Sequence, residues 1–159
     1  LERNIIEELG SLALATRLKN LSERLSKDIA AIYKVSGFGF EPRWFAVMYA
    51  LKEGDCMALT ELAQMLQQTH PAVNQVANVL VEKGLVIASK INADQRKRML
   101  TLSDSGKSLL AQMQPIWDKI QMANSQLIAE TAPSFLSDIK LLETSLEEKS
   151  MYDRVKGLM

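Results

Sequence analysis

A mainly helical chain carrying one small β-hairpin is predicted, and three observations predict it. Apolar residues recur at steps of three and four from Leu14 to Ile32, from Leu109 to Ile120 and from Phe135 to Leu146, the spacing of one buried helix face. Thr69–Gly84 reads as a short helix with both ends marked. Directly after Gly84 the period changes: Leu85–Lys90 and Met99–Leu102 are β-prone runs separated by the polar, basic stretch Ile91–Arg98, a hairpin with an exposed, charged tip.

The totals fit a folded domain of 159 residues, 47% hydrophobic and 24% charged. No apolar run approaches the roughly 20 residues that cross a bilayer, and no basic-then-apolar leader is visible, so neither membrane insertion nor export is expected. One cysteine, Cys56, excludes an internal disulfide framework and fits a reducing cytoplasm, the expected location. The net charge is zero, which taken alone argues against nucleic acid, but its distribution is uneven. Lys90, Arg96, Lys97, Arg98 and Lys107 against Asp94 and Asp104 give residues 84–108 a positive surplus, directly after the 69–84 helix.

Taken in order, residues 4–34 read as one long helix, with Ile5, Ile6, Leu9 and Leu12 extending the stripe and Gly10 as a weak point. Such a helix is about 45 Å long, more than a small domain covers, so its start is expected to pack on a second subunit. Ser36-Gly-Phe-Gly-Phe40 ends it. Pro42 opens a second helix with Trp44, Phe45, Met48, Tyr49 and Leu51 on its apolar face, closed at Gly54. Residues 56–59 suit a very short strand, and Leu62, Ala63, Met65 and Leu66 mark a third helix near 58–67. Gln67-Gln68 connects it to Thr69, so two short helices joined by a tight turn form a helix-turn-helix, with the hairpin as a wing behind it. Ser103 or Asp104 caps the next helix, which Pro115 should kink or divide, and Pro133 reopens the last one.

The 69–84 helix has two unlike faces. Thr69 suits an N-cap, Pro71 the first turn and Gly84 the stop. Val73, Val76, Ala77 and Leu80 form the apolar stripe; Thr69, His70, Asn74, Gln75 and Asn78 form a face of short, uncharged hydrogen-bonding groups. Asn and Gln pair with adenine in a major groove, and Thr contacts either base type or a thymine methyl. The same residues also suit a solvated face, and the surrounding architecture decides between the two.

Leu62-Ala63, then Val79-Leu-Val-Glu-Lys-Gly-Leu-Val86, then Asp94-Gln-Arg-Lys-Arg-Met-Leu-Thr-Leu-Ser-Asp-Ser-Gly106, in this order after a helix-turn-helix, resemble the MarR family of bacterial winged helix-turn-helix regulators. The likeness covers nearly the whole chain. It implies a winged helix-turn-helix domain over 36–106 between helical dimerisation arms at 1–35 and 107–159. It implies a homodimer on double-stranded DNA at a pseudo-palindromic operator. In that reading Thr69, His70, Ala72, Asn74, Gln75 and Asn78 face bases or nearby phosphates, and Arg96 reaches the minor groove or backbone, held by an ion pair with Asp94. Lys90, Lys97 and Arg98 contribute further wing charge toward phosphate. Many relatives carry Arg or Lys on the reading helix; this chain does not, which shifts the expected specificity toward adenine, thymine and DNA shape. The expected function is a ligand-responsive repressor, with Trp44, Phe45 and Tyr49 as candidate lining for a small-molecule effector pocket and helical-face packing as their other role.

Other functions find less support. Gly-rich phosphate loops, G-x-S-x-G, H-E-x-x-H and paired-cysteine zinc patterns are absent, and a triad would have to use the single His70, so no enzyme, no cofactor and no metal are expected. Cys56 follows Glu53 and Asp55, acids that disfavour a thiolate, which speaks against redox sensing. A winged-helix module that binds protein and not DNA is the alternative that the zero net charge keeps open.

Overall fold

The computed structural model describes residues 4–91 and 94–159; the side chains of residues 90, 91 and 94–96 lie outside that description. By backbone contacts the chain forms two compact units, Leu1–Gln114 and Pro115–Met159.

In the first unit the predicted N-terminal helix is interrupted. α1 (Ile5–Glu8) is followed by a 3-10 turn over Gly10–Ala13 and then by α2 (Leu14–Ser36). Gly10 sits at φ +56°, a left-handed conformation that a continuing α-helix does not contain, so the glycine breaks the helix instead of merely weakening it. Asn4 caps α1, and Gly37 at φ +77° closes α2. A second 3-10 turn, Pro42–Trp44, leads into α3 (Phe45–Gly54). Tyr33, Phe40 and Trp44 join α2 to this turn by two edge-to-face contacts, with ring centroids 5.2 and 5.7 Å apart.

β1 (Cys56–Ala58), α4 (Leu59–Met65) and α5 (His70–Glu82) follow, then β2 (Val86–Ile91) and β3 (Asp94–Leu102). The Ala58 N–H donates to the Glu61 carboxylate at 3.2 Å, securing the start of α4. Between α4 and α5, Gln67 takes φ +50°, and the Gln68 N–H reaches back to the Ala63 carbonyl, a left-handed helix stop normally built on glycine. Gln67→Gly should therefore raise stability by about 0.5–1 kcal/mol, the relief of left-handed strain outweighing glycine's extra unfolded-state entropy. Urea unfolding checks this, and a destabilised variant would show that Gln67 makes compensating contacts.

The sheet is antiparallel in the order β1-β3-β2. Met57 stands opposite Leu100, and Val86 opposite Leu102, placing buried residues of three strands on the core. The hairpin strands run further than their apolar stretches. Lys90 pairs with Arg98, and a register shift follows between Lys90 and Ile91. Most of the basic segment expected as a loop is thus strand, because ladder hydrogen bonds continue a projecting ribbon without an apolar face to bury. The core of this unit gathers Trp44, Met48, Leu51, Leu62, Leu80, Leu100 and Met113, each at most 1% exposed.

α6 (Asp104–Thr131) is helical throughout, Pro115 included, and the division between the two units falls at that proline. In the second unit α7 (Phe135–Glu148) and α8 (Met151–Lys156) complete the chain. α8 was not expected from the sequence; Ser150 caps it, accepting from the Asp153 N–H at 3.1 Å. Among the described residues no helix is long and apolar enough to cross a membrane.

Candidate nucleic-acid interface

The interface is built on how α5 is held. Thr69 is its N-cap, the hydroxyl accepting from the Ala72 N–H at 3.4 Å, and Pro71 occupies the first turn. Val73, Ala77 and Leu80 are fully buried, which fixes the rotation of the helix about its axis. The opposite face follows by periodicity: Thr69, His70, Ala72, Gln75 and Asn78 are exposed and Asn74 is half-buried.

The end of α5 is tied to both roots of the wing and to α6. Gly84 takes φ +69°, as a helix stop requires. The Ser103 hydroxyl donates to the Gly84 carbonyl at 2.6 Å and accepts from the Gly106 N–H at 3.0 Å. The Ser103 N–H donates to the Leu85 carbonyl. Gly106 lies so close to that carbonyl that an added Cβ would stand 2.1 Å from its oxygen. Ser103, one of the two caps expected from sequence, is therefore the cap used. Thr101 anchors the other edge of β3, its hydroxyl donating to the Asp55 carbonyl at 2.8 Å.

Of the wing cations, Lys97 is exposed. The side chains of Lys90, Asp94 and Arg96, and with them the expected Asp94–Arg96 ion pair, lie outside the described residues. Arg98 does something the sequence did not suggest. Its Nη1 donates to Asn74 Oδ1 and to Asn78 Oδ1, each at 2.7 Å, bringing a guanidinium onto the amide face of α5. The amide face of α5 thus acquires a cation that the helix itself lacks. A pair of asparagines at i and i+4 facing a basic strand was the available signal, but it needs the strand's position to be read.

Trp44 is 1% exposed and belongs to the core, while Phe45 and Tyr49 pair at 5.5 Å and stay partly exposed. A concavity of about 580 Å³ lies elsewhere, along the N-terminal helices, lined by residues that include Ile6, Leu14, Arg17, Leu18, Leu21 and Arg24; none of the three aromatics lines it. Cys56 is exposed and unpaired. Among the described residues, no cluster of three potential metal ligands exists.

Residues 38–97 match the model of the MarR family. The fold is similar to MOSR, a transcriptional regulator of M. tuberculosis solved in complex with DNA (TM-score 0.70, 19% identity, 84% of this chain and 96% of that one). It is also similar to a mutant MarR of E. coli complexed with operator DNA (TM-score 0.67, 19% identity, 91% and 99%). A third is BpsR of Bordetella bronchiseptica, solved in a study of how 6-hydroxynicotinic acid regulates its DNA binding (TM-score 0.61, 21% identity, 81% and 98%). Comparison with curated protein sequences finds no match. The helix-turn-helix and wing thus match the MarR family model over residues 38–97, and the chain shares the fold of these solved regulators.

Proposed function

We propose that this chain is a sequence-specific DNA-binding transcriptional regulator that works as a homodimer in the cytoplasm, a repressor whose hold on its operator is loosened by a small-molecule effector. The observation that carries it is the exposed amide face of α5 beside a basic wing strand, with the helix rotation fixed by a fully buried opposite stripe. Solved proteins of this fold in complex with DNA, and one whose DNA binding is regulated by 6-hydroxynicotinic acid, support the same reading.

Thr69, His70, Ala72, Asn74, Gln75 and Asn78 are the residues we assign to the major groove. Lys90, Arg96 and Lys97 are assigned to phosphate or the minor groove, with Asp94 holding Arg96. Residues 1–35 and 107–159 serve as dimerisation arms around a 36–106 reading domain. The apolar side chains that α2 leaves partly exposed, Leu14, Leu18, Leu21, Leu25 and Ile32, support this for the first arm. In the second, Leu136, Leu142 and Leu146 of α7 are exposed in the same way. Pairing two copies sets two α5 helices for grooves one helical turn apart, roughly 34–36 Å. An effector that prefers another spacing then shifts the population away from DNA by its differential affinity. Phe45 and Tyr49, adjacent and partly exposed, are the aromatic contacts assigned to that effector, with Trp44 in the core behind the same segment.

Selection from a pool of random duplex DNA tests the function. Two related half-sites centred about 10 base pairs apart should be enriched. A pool that stays random would contradict DNA recognition and leave the winged helix as a protein-binding module, the reading that the uncharged face of α5 favours.

A further inference from the structure

The contact between the wing and α5 changes what the asparagines can read. A guanidinium nitrogen only donates, so the atoms facing it must be carbonyl oxygens, and the orientation of both amides is settled by chemistry. The two hydrogens of Arg98 Nη1 serve the two Oδ1 atoms, one turn apart on α5. An asparagine that pairs with adenine accepts from N6 through Oδ1 and donates to N7 through Nδ2. With one of the two acceptor sites on Oδ1 taken by a cation, that paired arrangement is weakened, and the nearby positive charge opposes the donating amino group of adenine. What each amide still offers is its Nδ2 hydrogens, and Arg98, which has no carboxylate partner among the described side chains, adds further donors and positive charge beside them. Such a face favours base edges rich in acceptors and disfavours the amino group of adenine. Guanine presents two acceptors, N7 and O6, on its major-groove edge.

We propose that Arg98 is a specificity-determining positioning residue: by holding the carbonyls of Asn74 and Asn78, it converts α5 into a donor face that selects guanine over adenine at the positions these residues meet. This rests on the DNA-binding reading above and reverses the adenine preference that the side-chain types alone imply. Arg98 thereby acts on sequence choice through two other residues and not as one more phosphate contact.

The test uses a duplex bound by the wild-type protein, with each base pair placed in turn at the positions where Asn74→Ala loses discrimination. Wild type should favour guanine over adenine about tenfold, and Arg98→Met should reverse the order as the freed carbonyls accept from adenine. Arg98→Lys, which keeps donors in place, should retain the guanine preference. With wild-type protein alone, replacing that guanine by 7-deazaguanine, which lacks the N7 acceptor, should weaken binding about tenfold, a readout that does not depend on any variant folding. Uniformly weaker binding by Arg98→Met with the guanine order intact would overturn the proposal and leave Arg98 a grip on the backbone. So would indifference to 7-deazaguanine. A wild-type protein with no base preference at any position would overturn the DNA-reading assignment together with it.

Discussion

Gly106→Val should lower the stability of the folded chain by about 3 kcal/mol, because overpacking against backbone cannot be relieved by a side-chain rotation. The added Cβ would stand 2.1 Å from the Leu85 oxygen and 3.1 Å from its carbonyl carbon, so either the start of α6 or the root of β2 must move. That movement breaks more than one contact. The Gly106 N–H is bonded to Ser103, whose hydroxyl holds the Gly84 carbonyl at the end of α5 and whose N–H holds the Leu85 carbonyl. A shift of this junction therefore separates α5 from the wing that flanks it. Thermal unfolding should show a midpoint lowered by roughly 10 °C. Ser103→Ala, which removes two hydrogen bonds without a clash, should cost less, about 1–2 kcal/mol. Equal losses in the two variants would mean that packing at Gly106 is not what holds the junction.

Leu18→Glu combined with Leu25→Glu should weaken self-association about 100-fold or more, from roughly 1.5 kcal/mol of lost apolar burial per site and the further cost of placing carboxylates in an interface. Both leucines lie on one face of α2 and are 44% and 40% exposed in the single chain, in a stripe continued by Leu14, Leu21 and Ile32. Neither belongs to the buried set that includes Trp44, Met48 and Leu80, so the winged domain should remain folded. Sedimentation equilibrium reads the association constant, and circular dichroism reads the fold. DNA affinity should fall with the dimer, since each protomer then binds without its partner's contribution to effective concentration. A variant that dimerises as tightly as the parent would show that α2 is not the arm.

The sequence announced α5 because its signals are local. An N-cap at Thr69, Pro71 in the first turn, a buried stripe at helical spacing and Gly84 at the stop each act within a few residues. The winged helix-turn-helix was legible for the same reason: its order of short elements is written in changes of period. The junction and the donor face were not legible. Gly106 against Leu85, Ser103 against Gly84 and Arg98 against Asn74 join residues about 20 apart, and only the fold sets their distances. The interruption at Gly10 was misjudged because a propensity penalty says that a helix is weakened and not which conformation replaces it. The sequence reading makes the hairpin tip too wide, Ile91–Arg98, where β3 already begins at Asp94, because a charged strand in a projecting ribbon carries no hydrophobic alternation to read.

In the proposed function labour is divided: α5 chooses the site, while the wing and the pairing of two copies supply the strength. α5 carries no Lys or Arg on its exposed amide face, so the proposal assigns phosphate neutralisation to the wing. Salt titration of binding to a selected duplex tests this most directly. With Lys90, Arg96 and Lys97 from each of two protomers meeting phosphates, the logarithm of affinity should fall against the logarithm of salt with a slope of about −5, and Arg96→Ala should make it shallower by about 2. A slope near zero, or one that Arg96→Ala leaves unchanged, would contradict the account.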